Sequence, residues 1–161
     1  MGAGVKKVRL RKRESGQTLV EFALVVPLLF LLLFGSVEFG RVFHAYHVVT
    51  SAAREGARAA AVGKSNDVIE TKIEGAVSSL VSNPANVELK DNATYDSNNP
   101  PAGKVYFTII DYNLSDRTGN KPVDVKVKGA VEIIVPLISS FLSNDTDNRR
   151  IISTTAQMRL E

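Results

Sequence analysis

The chain of 161 residues contains no cysteine, which excludes disulfides, thiolate metal sites and cysteine nucleophiles. Its length is sufficient for one domain and one additional element. The formal net charge is +3, but residues 1–16 alone carry +5, so the remaining residues together carry −2. Nucleic-acid binding needs a basic face on the folded domain, and this distribution gives it little support. We therefore predict no nucleic-acid partner.

The basic arm precedes an apolar stretch that predicts a membrane-spanning helix. Residues 22–37 carry no charged side chain, and a helix of this length measures about 24 Å against about 30 Å for a bilayer core. Snorkelling of the flanking charged side chains extends the predicted span to about residues 19–37. One alternative is a buried core helix. Another is a secretory signal, although no small-x-small cleavage site follows the stretch.

The charge of the arm also predicts the topology. Lysine and arginine beside a membrane span are retained in the cytoplasm. The sequence therefore predicts a single-pass inner, or cytoplasmic, membrane protein with a cytoplasmic N-terminus and an extracytoplasmic C-terminal domain. The basic residues of the arm are Lys6, Lys7, Arg9, Arg11, Lys12 and Arg13.

A glycine and a glutamate stand at the start of the apolar stretch, in the sequence "SGQTLVEF". This segment resembles the class III signal of type IV prepilins, in which a short basic leader ends at a glycine and the mature helix has glutamate at its fifth position. The resemblance implies that a prepilin peptidase cleaves after Gly16 on the cytoplasmic face, so that the mature chain begins at Gln17. It also implies that Glu21 pairs with the terminal amine of a neighbouring subunit and sets the register of packing. The alternative is a carboxylate that snorkels without a partner.

A narrower resemblance extends over the first third of the chain and its last tenth. The segments "VEFALVVPLLF", "EFGR", "AAREGARAAAVG" and "TTAQMRLE" resemble the TadE-like family, whereas residues 64–123 resemble nothing identifiable. The family implies a minor, pilin-like component of a tight-adherence, type IV-like pilus that acts in assembly and surface attachment. The implied partners are the membrane, prepilin peptidase, other pilin-like subunits and the pilus assembly platform. Incorporation into a surface pilus is a further expectation.

Beyond the membrane span, the apolar positions recur every three or four residues, which predicts one continuous helix over residues 17–62. Gly63 is its predicted C-cap. Rows of small side chains on this helix allow another backbone to approach closely, and two interpretations remain open: packing against other helices in an assembly, or packing against the domain's own sheet. The apolar stripe is Phe39, Val42, Tyr46, Val49, Ala53, Gly56 or Ala57, and Ala60. The candidate helix-packing residues are Ser36, Gly40, Ala52, Gly56 and Ala60.

Residues 63–161 predict an extracytoplasmic α+β domain. We expect a pilin-like arrangement in which the long N-terminal helix packs on a small antiparallel sheet of three or four strands, with one short extra helix at residues 67–81. Residues 91–103 are predicted to form a polar loop or the turn of a long hairpin. The apolar residues 137–142 have three interpretations: capping the sheet, touching the membrane surface or docking a partner. The predicted strands are residues 87–89, 104–112, 122–136 and a last run that begins near residue 152.

No arrangement of side chains in the sequence predicts catalysis, a metal site or a cofactor. His44 and His47 have a spacing at which a metal site can begin, but no third ligand is evident, so we predict no bound metal ion. We likewise predict no cofactor and no enzymatic activity. Asn-x-Ser/Thr triplets begin at Asn92, Asn113 and Asn144 and suit exposed turns. The alternative function is a single-pass anchored, extracytoplasmic binding module that does not polymerise.

Overall fold

The computed structural model describes residues 14–111 and 122–159. The chain divides into two compact units, Met1–Ser36 and Val37–Glu161. The first unit holds the apolar part of the N-terminal helix. The second contains the rest of that helix together with the sheet, and it carries the hydrophobic core.

Helix α1 runs over Glu14–Ala61 and includes Pro27 in its interior. Its C-terminus has the two hydrogen bonds of a Schellman motif, from the N–H of Gly63 to the carbonyl of Ala60 and from that of Lys64 to the carbonyl of Ala59. Gly63 adopts a φ of 70°, a conformation that glycine accepts without strain. The predicted C-cap is therefore confirmed.

Four strands form one sheet in the order β1-β2-β3-β4. They are β1 (Val87–Leu89), β2 (Val105–Asp111), β3 (Pro122–Glu132) and β4 (Arg149–Arg159). The pairs β2–β3 and β3–β4 are antiparallel as predicted, but β1 pairs with β2 in parallel, so the sheet is mixed. The expectation of a purely antiparallel sheet is wrong at this edge. The segment between β1 and β2 is a crossover rather than a hairpin turn, and parallel neighbours require one.

Within the described residues three short α-helices and one 3-10 turn (Pro84–Asn86) accompany the sheet, where the sequence predicts one short helix. The helices are α2 (Asn66–Val77), α3 (Asn92–Ser97) and α4 (Pro136–Leu142). The N-cap of α3 is Asp91, whose carboxylate accepts hydrogen bonds from the backbone N–H and the hydroxyl of Thr94, and these bonds lower the pKa of Asp91. Helix α4 begins at Pro136, which the sequence marks as the end of a strand. Proline is equally suited to the first turn of a helix.

The core lies between α1, α2 and one face of the sheet. A Cβ added at Gly56 would lie 2.9 Å from Cδ1 of Ile73 on α2 and 3.1 Å from Cγ1 of Val125 on β3. One at Gly129 on β3 would lie 2.9 Å from Val49. Helix and sheet therefore touch where their residues are smallest.

Apolar and polar residues alternate in the sequence of the two long strands, and burial follows this alternation along β4 and at the apolar positions of β3, although Asp124 of β3 is buried as well. On β3, Val123, Val125 and Val127 are buried, and on β4 Ile152 is buried while its neighbour Ser153 is exposed. The alternation in the sequence of the last strand continues to Leu160, which lies outside the described residues.

The stripe predicted on α1 is correct in its upper part and wrong in its lower part. Val49 and the small residues after it are buried, but Phe39 is 61% exposed and Tyr46 is 50% exposed. The buried line passes through Ala45 and Glu38 instead. A carboxylate occupies a core position there because the outer domain supplies a hydrogen-bond donor to it.

Helix α3 covers the opposite face of the sheet through Tyr95, which is 1% exposed. Its hydroxyl lies 3.1 Å from Oγ of Ser153 on β4, and burial raises the pKa of Tyr95 to about 12. The ammonium of Lys128 on β3 lies 4.3 Å from the centroid of the Tyr95 ring and donates a hydrogen bond to the backbone carbonyl of Tyr95. These contacts fix the crossover segment on the sheet.

Candidate membrane anchor and assembly segment

The N-terminal half of α1 presents apolar side chains that no part of the described protein covers. Gly16–Ala61 contains a window with a mean hydropathy of 2.4 and none of that window is buried. Leu24, for example, is 73% exposed and Phe22 is 68% exposed. Among the described residues this is the one helix long and apolar enough to cross a membrane. The exposure does not fit the alternative of a core helix, which would be covered by the chain itself.

The residues predicted for processing and pairing lie in the first turns of this helix. Gly16 is exposed, and a Cβ added there would meet no atom within 4 Å. The side-chain amide of Gln17 donates to Oε1 of Glu21 at 3.1 Å, one helical turn away. A terminal amine created at Gln17 would therefore begin within one turn of this carboxylate. Residues 1–13 of the basic arm lie outside the described residues.

The five candidate helix-packing residues fall into two groups. Ala52, Gly56 and Ala60 are buried in the protein's own core. Ser36 and Gly40 are exposed. The hydroxyl of Ser36 donates to the carbonyl of Leu32 at 2.8 Å, and a Cβ added at Gly40 would meet nothing within 4 Å. Of the predicted set, Ser36 and Gly40 are thus the two that remain accessible to another helix.

Glu38, one of the charged residues that flank the apolar stretch, is a buried structural site rather than a snorkelling acid. The residue is 2% exposed. Oε1 accepts from the backbone N–H of Ile134 at 3.0 Å, and Oε2 accepts from the guanidinium of Arg41 at 2.8 Å. Both carboxylate oxygens are therefore bonded, as a buried charge requires. The i, i+3 spacing to Arg41 was visible in the sequence, but the bond to Ile134 was not.

The exposed side of α1 just after Glu38 carries an aromatic row. The rings of Phe39 and Phe43 are stacked with centroids 6.3 Å apart, and His47 meets Phe43 edge-on at 4.5 Å. These packing contacts give His47 a role other than metal binding. Across the part of the chain that the structure describes, no group of three or more His, Cys, Asp and Glu side chains is placed to hold a metal ion.

The apolar residues 137–142 form most of α4, which has two faces. Ile138 and Ser139 are buried, so the inner face covers the core as the sheet-capping interpretation expects. Leu137 is 63% exposed and Phe141 is 86% exposed. Sheet capping therefore leaves the outer face unexplained.

A comparison with protein families matches residues 16–58 to the model described as TadE-like protein. Residues 16–58 form a TadE-like domain. The domain begins at Gly16 and includes Glu21, Gly40 and Glu38, so it holds most of the features described above. No curated protein and no solved structure matches the chain significantly.

The TadE-like domain implies a pilin-like protein involved in the assembly of a tight-adherence pilus. The resemblance predicted from the sequence is therefore confirmed, and so is the α+β arrangement of a long apolar helix on a four-stranded sheet. The domain also suggests an association with the pilus machinery, and its exposed apolar helix is consistent with membrane anchoring.

Proposed function

We propose that this protein is a membrane-anchored minor pilin of a tight-adherence pilus, acting in pilus assembly and surface attachment. The observation that carries the proposal is a TadE-like domain built on a helix in whose apolar window no residue is buried. Such a surface is stable only when lipid or other apolar helices cover it. In a subunit that passes from the membrane into a filament, lipid would cover this surface first and the helices of other subunits would cover it afterwards.

The proposed organisation has three parts. Residues 1–16 are a cytoplasmic leader that prepilin peptidase removes, residues 17–62 are the helix that crosses the membrane at about 19–37, and residues 63–161 form the extracytoplasmic domain. The role is structural: the helix supplies anchoring and subunit packing, and the outer domain supplies the surface of the filament. The proposed partners are the membrane, the peptidase, other pilin-like subunits and the assembly platform.

Processing after Gly16 tests this proposal, because the same cleavage reports the cytoplasmic position of the leader. Mass spectrometry of the protein recovered from membranes is expected to find Gln17 as the N-terminus. Cells that lack the peptidase provide the control and should yield the chain with its leader. Recovery of the intact leader from cells that carry the peptidase would reject the pilin-like function and favour the anchored binding module.

A further inference from the structure

Three large apolar side chains lie exposed within eight residues at one end of the outer domain. Ile134 is 67% exposed, Leu137 is 63% exposed and Phe141 is 86% exposed. We call these three residues the α4 patch. Ile134 precedes α4, whereas Leu137 and Phe141 are four residues apart within the helix and therefore lie on one side of it. Exposed apolar clusters of this kind mark interaction surfaces.

The position of the α4 patch along the molecule is fixed by Glu38. The carboxylate of Glu38 accepts the backbone N–H of Ile134 at 3.0 Å, so the patch begins beside this residue. Glu38 is the first charged residue after the uncharged residues 22–37. The patch is therefore tied to the point at which α1 leaves its apolar stretch.

The segment that carries the patch is held at both ends. The N–H of Ile133 donates to the carbonyl of Asn148 at 3.0 Å, and the side chain of Asn144 brackets Ile151 by accepting from its N–H and donating to its carbonyl. The guanidinium of Arg150, an exposed residue, donates to the carbonyl of Leu142 at 3.3 Å. A cation thus stands at the end of the apolar face.

We propose that the α4 patch inserts into the interfacial layer of the membrane that α1 crosses. The inference rests on the proposed anchoring by α1. The uncharged stretch of about 24 Å is no longer than a bilayer core of about 30 Å, so the residues just past it lie at the edge of the core, close to the lipid headgroups. Interfacial segments bury apolar side chains such as those of phenylalanine, leucine and isoleucine. Anionic headgroups attract a neighbouring arginine. The outer domain is then held on the membrane by two contacts.

The absence of tryptophan from the sequence allows a direct test. Full-length Phe141→Trp is reconstituted in liposomes that contain anionic lipid and lipid brominated on its acyl chains, which quench tryptophan at close range. Phe30→Trp, within the apolar stretch, is the positive control. Val62→Trp is the negative control, because Val62 is 59% exposed and lies just past the end of α1, 24 residues beyond Glu38, which corresponds to roughly 36 Å along the helix. Leu137→Trp repeats the measurement at a second site of the patch.

We expect Phe141→Trp and Leu137→Trp to lose about half as much fluorescence as Phe30→Trp, since an interfacial residue lies shallower than one in the span. Val62→Trp should lose almost none. Quenching of both patch variants no greater than that of Val62→Trp would overturn the proposal while leaving the anchoring intact. A tryptophan emission that shifts to the blue only as the protein-to-lipid ratio rises would also overturn it, in favour of a contact between copies. Failure of Phe30→Trp to be quenched would instead reject the anchoring, and the patch proposal with it.

Discussion

At the scale of single residues, Glu38 shows how a charge is accommodated in an apolar helix face. A buried carboxylate is costly unless its oxygens are bonded. Here one oxygen accepts a hydrogen bond from the N–H of Ile134, and the other accepts one from the guanidinium of Arg41, which is itself partly exposed. The carboxylate thereby joins α1 to the connection between β3 and α4.

Removal of this carboxylate should loosen the join. We expect Glu38→Ala to lower the free energy of unfolding by about 2 kcal/mol, because it leaves the N–H of Ile134 without its acceptor. Glu38→Gln retains an acceptor for that N–H and should cost less than half as much. Chemical denaturation of the full-length protein in detergent measures both. Equal stability of Glu38→Ala and the unchanged protein would show that the bond contributes nothing.

Glu38 and Glu21 also differ in how far a sequence alone can suggest a role for them. A pairing role for Glu21 could be predicted because the motif that suggests it lies within a few positions, namely Gly16 and the apolar run. Glu38 was missed because its acceptor role depends on a backbone group 96 residues away. Asp124 alternates with the buried valines of β3 and is itself only 8% exposed, which the alternation of the strand does not indicate.

At the scale of elements, α1 uses its small residues for two different purposes. Gly56 sits against α2 and β3 with no room for a larger side chain. Gly40 faces open space on the same helix. The sequence left both interpretations of the small residues open, since spacing alone does not say which face another element covers.

Substitution of the two glycines by alanine separates these purposes. Alanine raises helix propensity by about 1 kcal/mol at either position, but at Gly56 its Cβ meets Ile73 and Val125, and overpacking of this kind costs about 1–3 kcal/mol. We expect Gly56→Ala to be less stable than the unchanged protein by about 1 kcal/mol and Gly40→Ala to be at least as stable. Denaturation midpoints in detergent measure the difference. An unchanged midpoint for Gly56→Ala would mean that the helix and the sheet are not in close contact there.

The sheet was predicted well where its strands are long and alternate. The seven-residue β2 and the eleven-residue β3 and β4 carry enough alternating positions to fix both their faces and their antiparallel pairing. The three-residue β1 carries too few, so the polar residues 91–103 were predicted as a loop or the turn of a long hairpin, and the crossover was missed. A capping signal was present in Asp91 and Thr94, and it marks the helix that turns this segment into a crossover.

At the scale of the whole molecule, the proposed function depends on how the apolar half of α1 is covered. In the membrane, lipid covers it, and in a filament, the apolar helices of neighbouring subunits would do so. A carboxylate at mid-membrane costs roughly 2.5–3.5 kcal/mol and less at the edge, so a neighbour's terminal amine that contributes about 1–2 kcal/mol is enough to hold Glu21 in register. The side-chain amide of Gln17, its present partner, is a weaker one because it carries no charge.

The most direct test of the pilin-like function is therefore the amount of this protein in filaments sheared from cells, measured by immunoblotting for three forms of the chain. The unchanged protein and Glu55→Gln, which removes a negative charge from an exposed position higher on α1, should both be incorporated. Glu21→Gln should be inserted and cleaved normally, yet reduced several-fold in the sheared fraction, because loss of about 1–2 kcal/mol corresponds to roughly a five- to thirtyfold change in association. Absence of the unchanged protein from sheared filaments, or incorporation of Glu21→Gln at the level of Glu55→Gln, would contradict the assignment of Glu21 to subunit packing in a pilus.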